Sequence, residues 1–115
     1  MKANSRRVNG VTIVDLDGRI TIDEGSTVLR KMVKDLSAQG QNKILLNMGE
    51  VTFIDDSGIG ELISGLTTVR NAGGDLKLLN LNQKVHDLIE ITKLYTVFDI
   101  QDDEASAVDA FQQPA

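Results

Sequence analysis

The chain of 115 residues carries 12 Lys and Arg against 17 Asp and Glu, a formal charge of −5, with 41% hydrophobic and only 3% aromatic residues. That length and balance fit one compact domain with an aliphatic core and argue against disorder. An acidic chain with one Tyr, no Trp and no basic cluster lacks the surface of a nucleic-acid binder, and without Cys there are no disulfides, thiol nucleophiles or thiolate metal sites.

No Gly/Ser-rich linker or repeat divides the chain, and its one proline, Pro114, is in the tail, so residues 1–115 are expected to form a single domain. Val11 to Asp17 largely alternates apolar and polar side chains after Asn9-Gly10, which predicts a strand entered from a tight turn, with Ser5 to Val8 as its hairpin partner. Asp23 is placed to cap a helix in which Val28, Leu29, Met32, Val33 and Leu36 recur at helical spacing, ending near Gly40. The continuous run Ile44-Leu45-Leu46 suits a central strand, Lys43 to Met48, covered on both faces. Ile59, Leu62, Ile63, Leu66 and Val69 predict a second helix facing the sheet and stopping at Gly73-Gly74. Leu76 to Leu79 reads as a fourth strand, and Asn82 can cap a short helix bearing Val85, Leu88 and Ile89. Val97 to Ile100 is expected to add an edge strand. Asp102-Asp103-Glu104 opens a last helix with acidic charge at the positive end of its macrodipole. Strands separated by single helices imply an α/β fold with a largely parallel sheet.

Chemistry concentrates in Val51-Thr52-Phe53-Ile54-Asp55-Asp56-Ser57-Gly58-Ile59-Gly60, at a loop-to-helix junction. Two carboxylates, a hydroxyl and two glycines meet where a helix start presents unpaired N–H groups. Ser57 can cap the helix, accept a phosphoryl group, or do both at different times. The glycines do not form G-x-G-x-x-G, and no Gly-Lys-Ser/Thr follows, so dinucleotide and P-loop sites lack their defining residues.

The stretch from Phe53 to Gly60 resembles the hallmark of the STAS domain, specifically of bacterial anti-sigma factor antagonists. The resemblance runs from the N-terminal strands through Ile44-Leu45-Leu46, Ala72-Gly73-Gly74-Asp75-Leu76 and Leu94-Tyr95 to Phe98. It implies a mixed four- or five-stranded sheet with helices mainly on one face. It also implies partner switching: the antagonist binds an anti-sigma factor that is also a serine kinase, frees a sigma factor, is released on phosphorylation and is restored by a serine phosphatase. By the same resemblance Asp55, Gly58, Ile59, Gly60 and Thr21 contact the partner, while Asp56 and Ser57 form the switch. In the family pattern a Ser or Thr usually follows the Asp directly, whereas here Asp56 occupies that place. An Asp carries one negative charge against about −1.5 to −2 for phosphoserine, so it is a partial mimic. The switch has moved to Ser57, the chain is locked without phosphorylation, or Asp56 replaces a Ser by engineering. Thr21 is a second departure, since many relatives carry Asp there.

Elsewhere the residues read as structural. Adjacent Asp55 and Asp56 lack a second cluster to complete a catalytic constellation, so no enzyme activity is expected. His86 has no neighbouring Cys or spaced His, so neither metal nor cofactor is expected. No apolar run nears the ~20 residues of a membrane span, and Met1 to Arg7 leads into no apolar signal core. A cytoplasmic protein without direct membrane insertion is the reading. The alternative to an antagonist is a STAS subunit of a membrane lipid-transport ATPase assembly.

Overall fold

The structure, a computed structural model, describes residues 1–112; Pro114 lies outside them. The elements run β1 (Lys2–Val8), β2 (Val11–Ile20), α1 (Ser26–Ala38), β3 (Lys43–Ile54), α2 (Asp56–Asn71), β4 (Asp75–Leu79), α3 (Gln83–Ile91), a 3-10 turn (Leu94–Thr96), β5 (Ile100–Gln101) and α4 (Glu104–Gln112). One five-stranded sheet has the order β1-β2-β3-β4-β5, with β1 antiparallel to β2 and every other pair parallel.

The hairpin turn is as expected: Asn9 and Gly10 both take positive φ, 50° and 82°, which matches the twist of the strands it joins. After β2 each crossover moves to the next strand in one direction. Crossovers of one hand then put α1, α2 and α3 on the same face. Side-chain alternation in the strands confirms two unequal layers. Val14, Leu16, Ile44, Leu46, Leu76 and Leu78 join the three helices in the larger core. Val11, Ile13, Leu45 and Leu79 point to the other face, where they meet Ala107 and Val108 of α4. The run Ile44-Leu45-Leu46 is fully buried because both faces of β3 are covered.

Several boundaries differ from expectation. β1 starts at Lys2, extending the pairing to Lys2↔Asp17. β3 runs past Met48 to Ile54, because β2 continues alongside it after β4 has ended, pairing Arg19 with Phe53 and Ile20 with Ile54. The edge strand is Ile100–Gln101 instead of Val97 to Ile100, since a 3-10 turn draws Phe98 into the core at 3% exposure. Asp23 does not cap α1; Gly25 occupies that position with no side-chain cap, and the Thr21 carbonyl accepts from the N–H groups of Glu24 and Ser26. Ile63 is exposed and does not face the sheet, whereas Gly58, Leu62, Gly65, Leu66 and Val69 do. The inward stripe of α2 includes two glycines that carry no hydrophobic signal, which rotates the true face away from Ile63. Ile59 is half-buried and packs at the edge of the larger core.

Candidate functional site: the start of α2

Asp55, at the end of β3, organises the junction. Its Oδ1 accepts from the Gly58 N–H at 2.9 Å, and its Oδ2 accepts from the Ile22 N–H at 3.0 Å. Its own N–H donates to the Ile20 carbonyl. One carboxylate therefore caps α2 and pins the loop that follows β2. The donation from Ile22 and then that from Gly58 hold its carboxyl below the usual carboxylate range. Asp55, not Ser57, is the cap of α2.

Two glycines allow the close packing. A Cβ on Gly58 would meet the Ile20 carbonyl and lie 2.7 Å from Ile54 Cγ2; a Cβ on Gly25 would strike the Arg19 carbonyl and lie 2.8 Å from Ile20 Cα. Both helices thus begin against the backbone at the end of β2. There the Ser57 Oγ donates to the Ser26 Oγ at 2.8 Å, linking the two first turns. Ser26 is 3% exposed and Ser57 half-buried. Two helix starts with their N–H groups converge here, an environment that favours negative charge.

Asp56 stands apart from this network. It is exposed in the first turn of α2, and its carboxylate has no hydrogen bond or ion pair among the described residues. Gly60 is also exposed, and a Cβ there would meet nothing within 4 Å. The packing of this chain therefore gives no reason for a glycine, which costs about 1 kcal/mol relative to Ala inside a helix. Thr21 is buried at 8% exposure, so it offers a partner little surface.

Beside it, Ile22 is 72% exposed, while its backbone N–H donates to the Asp55 carboxylate. Sequence reasoning missed Ile22, Gly25 and Ser26. An isolated Ile in a polar loop was the available signal for the first; nothing local marks the others. On α3, His86, Asp87 and Glu90 bring ligand-capable atoms within 4.8 Å of one another, and all three are exposed. No described helix is long and apolar enough to cross a membrane.

A family model described as STAS domain matches residues 2–107, and the chain belongs to that family. Within it, the chain is similar to antagonists. The anti-sigma-B factor antagonist of Bacillus subtilis is 31% identical over 87 residues, covering 76% of this chain and 78% of that protein. A crystal structure from Thermotoga maritima, provisionally described as an anti-sigma factor antagonist, superposes with a TM-score of 0.89 at 25% identity, over 96% of this chain and 95% of the other. SpoIIAA, an anti-sigma factor antagonist of Bacillus, has the same fold in its unphosphorylated and phosphorylated forms, with TM-scores of 0.72 and 0.73 at 19% identity. These matches cover 98% and 95% of this chain and 100% and 98% of the others.

Proposed function

We propose that this chain is an anti-sigma factor antagonist, a cytoplasmic, non-catalytic regulator of transcription. It binds an anti-sigma factor that is a serine kinase through the start of α2, and so frees a sigma factor. The observation that carries the reading is the junction itself. Asp55 fixes the Ile22 loop and the first turn of α2 as one unit, with Asp56 and Gly60 exposed on it. The names of the relatives favour this over a subunit of a lipid-transport ATPase.

Charge at positions 56 and 57 sets the state. SpoIIAA exists in a phosphorylated form, and the family pattern puts the acceptor where Asp56 stands. Ser57 is the less accessible of the two, because its hydroxyl is half-buried and engaged with Ser26. A phosphoryl group there would have to break that bond, although two helix starts would then receive its charge. A serine phosphatase would reset the switch wherever a phosphoryl group is added. Calorimetric titration with the cognate anti-sigma factor tests the reading: saturable binding is expected, and a complex indifferent to Asp56→Ser, Ser57→Ala and phosphorylation would place the interface elsewhere.

A further inference from the structure

Next to the junction, β3 and α3 enclose a second feature. Phe53 and Ile54, the residues leading into Asp55, form one wall of an apolar groove of about 320 Å³, and Leu88 and Ile91 of α3 form the other. Phe53 is 39% exposed and Ile91 80% exposed. The groove exists because the last residues of β3 have a strand neighbour on one side only, and α3 lies along the other. Lone exposed apolar residues are ordinary; a lined groove containing two of them is not.

Positive charge gathers at its Phe53 wall. In a chain of net −5, Arg19 lies over the Phe53 ring at 5.2 Å and Lys84 at 5.9 Å. Neither cation has an ion-pair partner within 4.0 Å among the described residues, although Arg19 attracts the Glu24 carboxylate from farther off. The acidic residue of the lining, Asp87, accepts from the neutral Gln83 Nε2 at 2.7 Å, so two cations stand against one carboxylate here. Lys84, Leu88 and Ile91 follow one stripe of α3 at i, i+4 and i+7, so the exposed ridge is helical and suits a second helix laid along it.

We infer that this groove is a docking site for an acidic amphipathic helix of a protein partner, with its apolar side chains on Phe53, Leu88 and Ile91 and its carboxylates toward Arg19 and Lys84. The inference deepens the proposed function, since the groove is continuous through Ile54 with the Asp55 junction. The two cations select against a basic partner helix and give the contact its salt dependence.

The test uses two labelled helical peptides of roughly 18 residues with the same leucine stripe, one flanked by Glu and one by Lys. Fluorescence anisotropy should show the Glu peptide binding at least about tenfold more tightly than the Lys peptide, and Ile91→Glu should weaken it by a similar factor. Circular dichroism should show that this exposed substitution leaves the fold intact. The double variant Arg19→Glu with Lys84→Glu should invert the preference. Equal affinity for both peptides, or amide NMR shifts centred away from Phe53, Leu88 and Ile91, would overturn the inference. A chain that discriminates the peptides but binds no anti-sigma factor keeps the groove and loses the proposed function; the opposite pattern loses the groove alone.

Discussion

Ser57 donates a hydrogen bond to Ser26 at 2.8 Å across 31 residues of sequence, so the first turn of α2 is joined to the first turn of α1 at the point where charge would act. Removing the Ser57 hydroxyl leaves a nearly buried hydroxyl on Ser26 without its partner, at a cost of about 1–2 kcal/mol. Urea denaturation of Ser57→Ala should show that loss. The double variant Ser26→Ala with Ser57→Ala should be less destabilised than the two single losses added together, because neither polar group is then stranded. Strict additivity would mean that the two hydroxyls are energetically independent.

The inward face of α2 is tested by adjacent residues. Leu62 is fully buried, and Leu62→Ala should cost about 2–5 kcal/mol. Ile63, at 39% exposure, should cost about 1 kcal/mol or less on truncation to Ala. Denaturation midpoints that rank the two variants the other way would contradict the observed rotation of the helix.

That rotation marks where sequence legibility ended. Periodicity located α2 and its buried Leu62, Leu66 and Val69, but Gly58 and Gly65 complete the inward stripe and carry no apolar signal. The Asn9-Gly10 hairpin, the buried central strand at Ile44-Leu45-Leu46 and the Asn82 cap of α3 were readable because each depends on neighbours in sequence. The extension of β3 to Ile54 depends on β2 continuing beside it, and the Ser26–Ser57 bond depends on two helices starting against Ile20. The site was therefore legible as a motif, while its architecture was not. Of the two roles open to Ser57 in the sequence, capping falls to Asp55, which also clasps the Ile22 loop, while the Ser57 hydroxyl bridges the two helices.

Asp55 also predicts a pH dependence. Its folded pKa is depressed below the ordinary 3.8 by the N–H groups of Ile22 and Gly58. A depressed carboxylate contributes stability that is fully present above the unfolded value and lost as pH falls through the folded one. Asp55→Asn removes that ionisation and presents an amide N–H₂ to one of the two donors. The wild type should be more stable than the variant at pH 7, and the gap should shrink as pH drops below about 3.8. Urea midpoints across pH 2–7 measure it. A gap that stays constant down to the acid end would remove Asp55 from the acid response.

Gly58 and Gly60 lie two positions apart and should respond oppositely to alanine. Gly58→Ala forces a methyl group against the Ile20 carbonyl and should destabilise the fold by about 1–3 kcal/mol. Gly60→Ala meets nothing and should stabilise α2 by about 0.5–1 kcal/mol. If the start of α2 is the interface, the same Gly60→Ala change should weaken binding to the anti-sigma factor while raising thermal stability. Stability and affinity rising together would show that no partner approaches Gly60.

The charge of Asp56 decides the resting state of the proposed switch. Its carboxylate is exposed at the start of α2 and unpaired within the chain, so a partner that docks there must either match it with a cation or strip its water at a cost. On the reading that an added phosphoryl group ends the complex, Asp56 biases the chain toward the released state, though with less charge than phosphoserine. Asp56→Ser should therefore bind the kinase partner more tightly and create an acceptor on the exposed side of the helix. Incubation with kinase and ATP should add one phosphoryl group, mapped to position 56 by peptide mass. Ser57, half-buried and bonded to Ser26, should be a poor substrate in the unaltered chain. Efficient phosphorylation of Ser57, with no gain of affinity or of phosphate at 56, would shift the switch by one residue. It would also mean that the Ser26–Ser57 bond opens readily enough to admit a kinase.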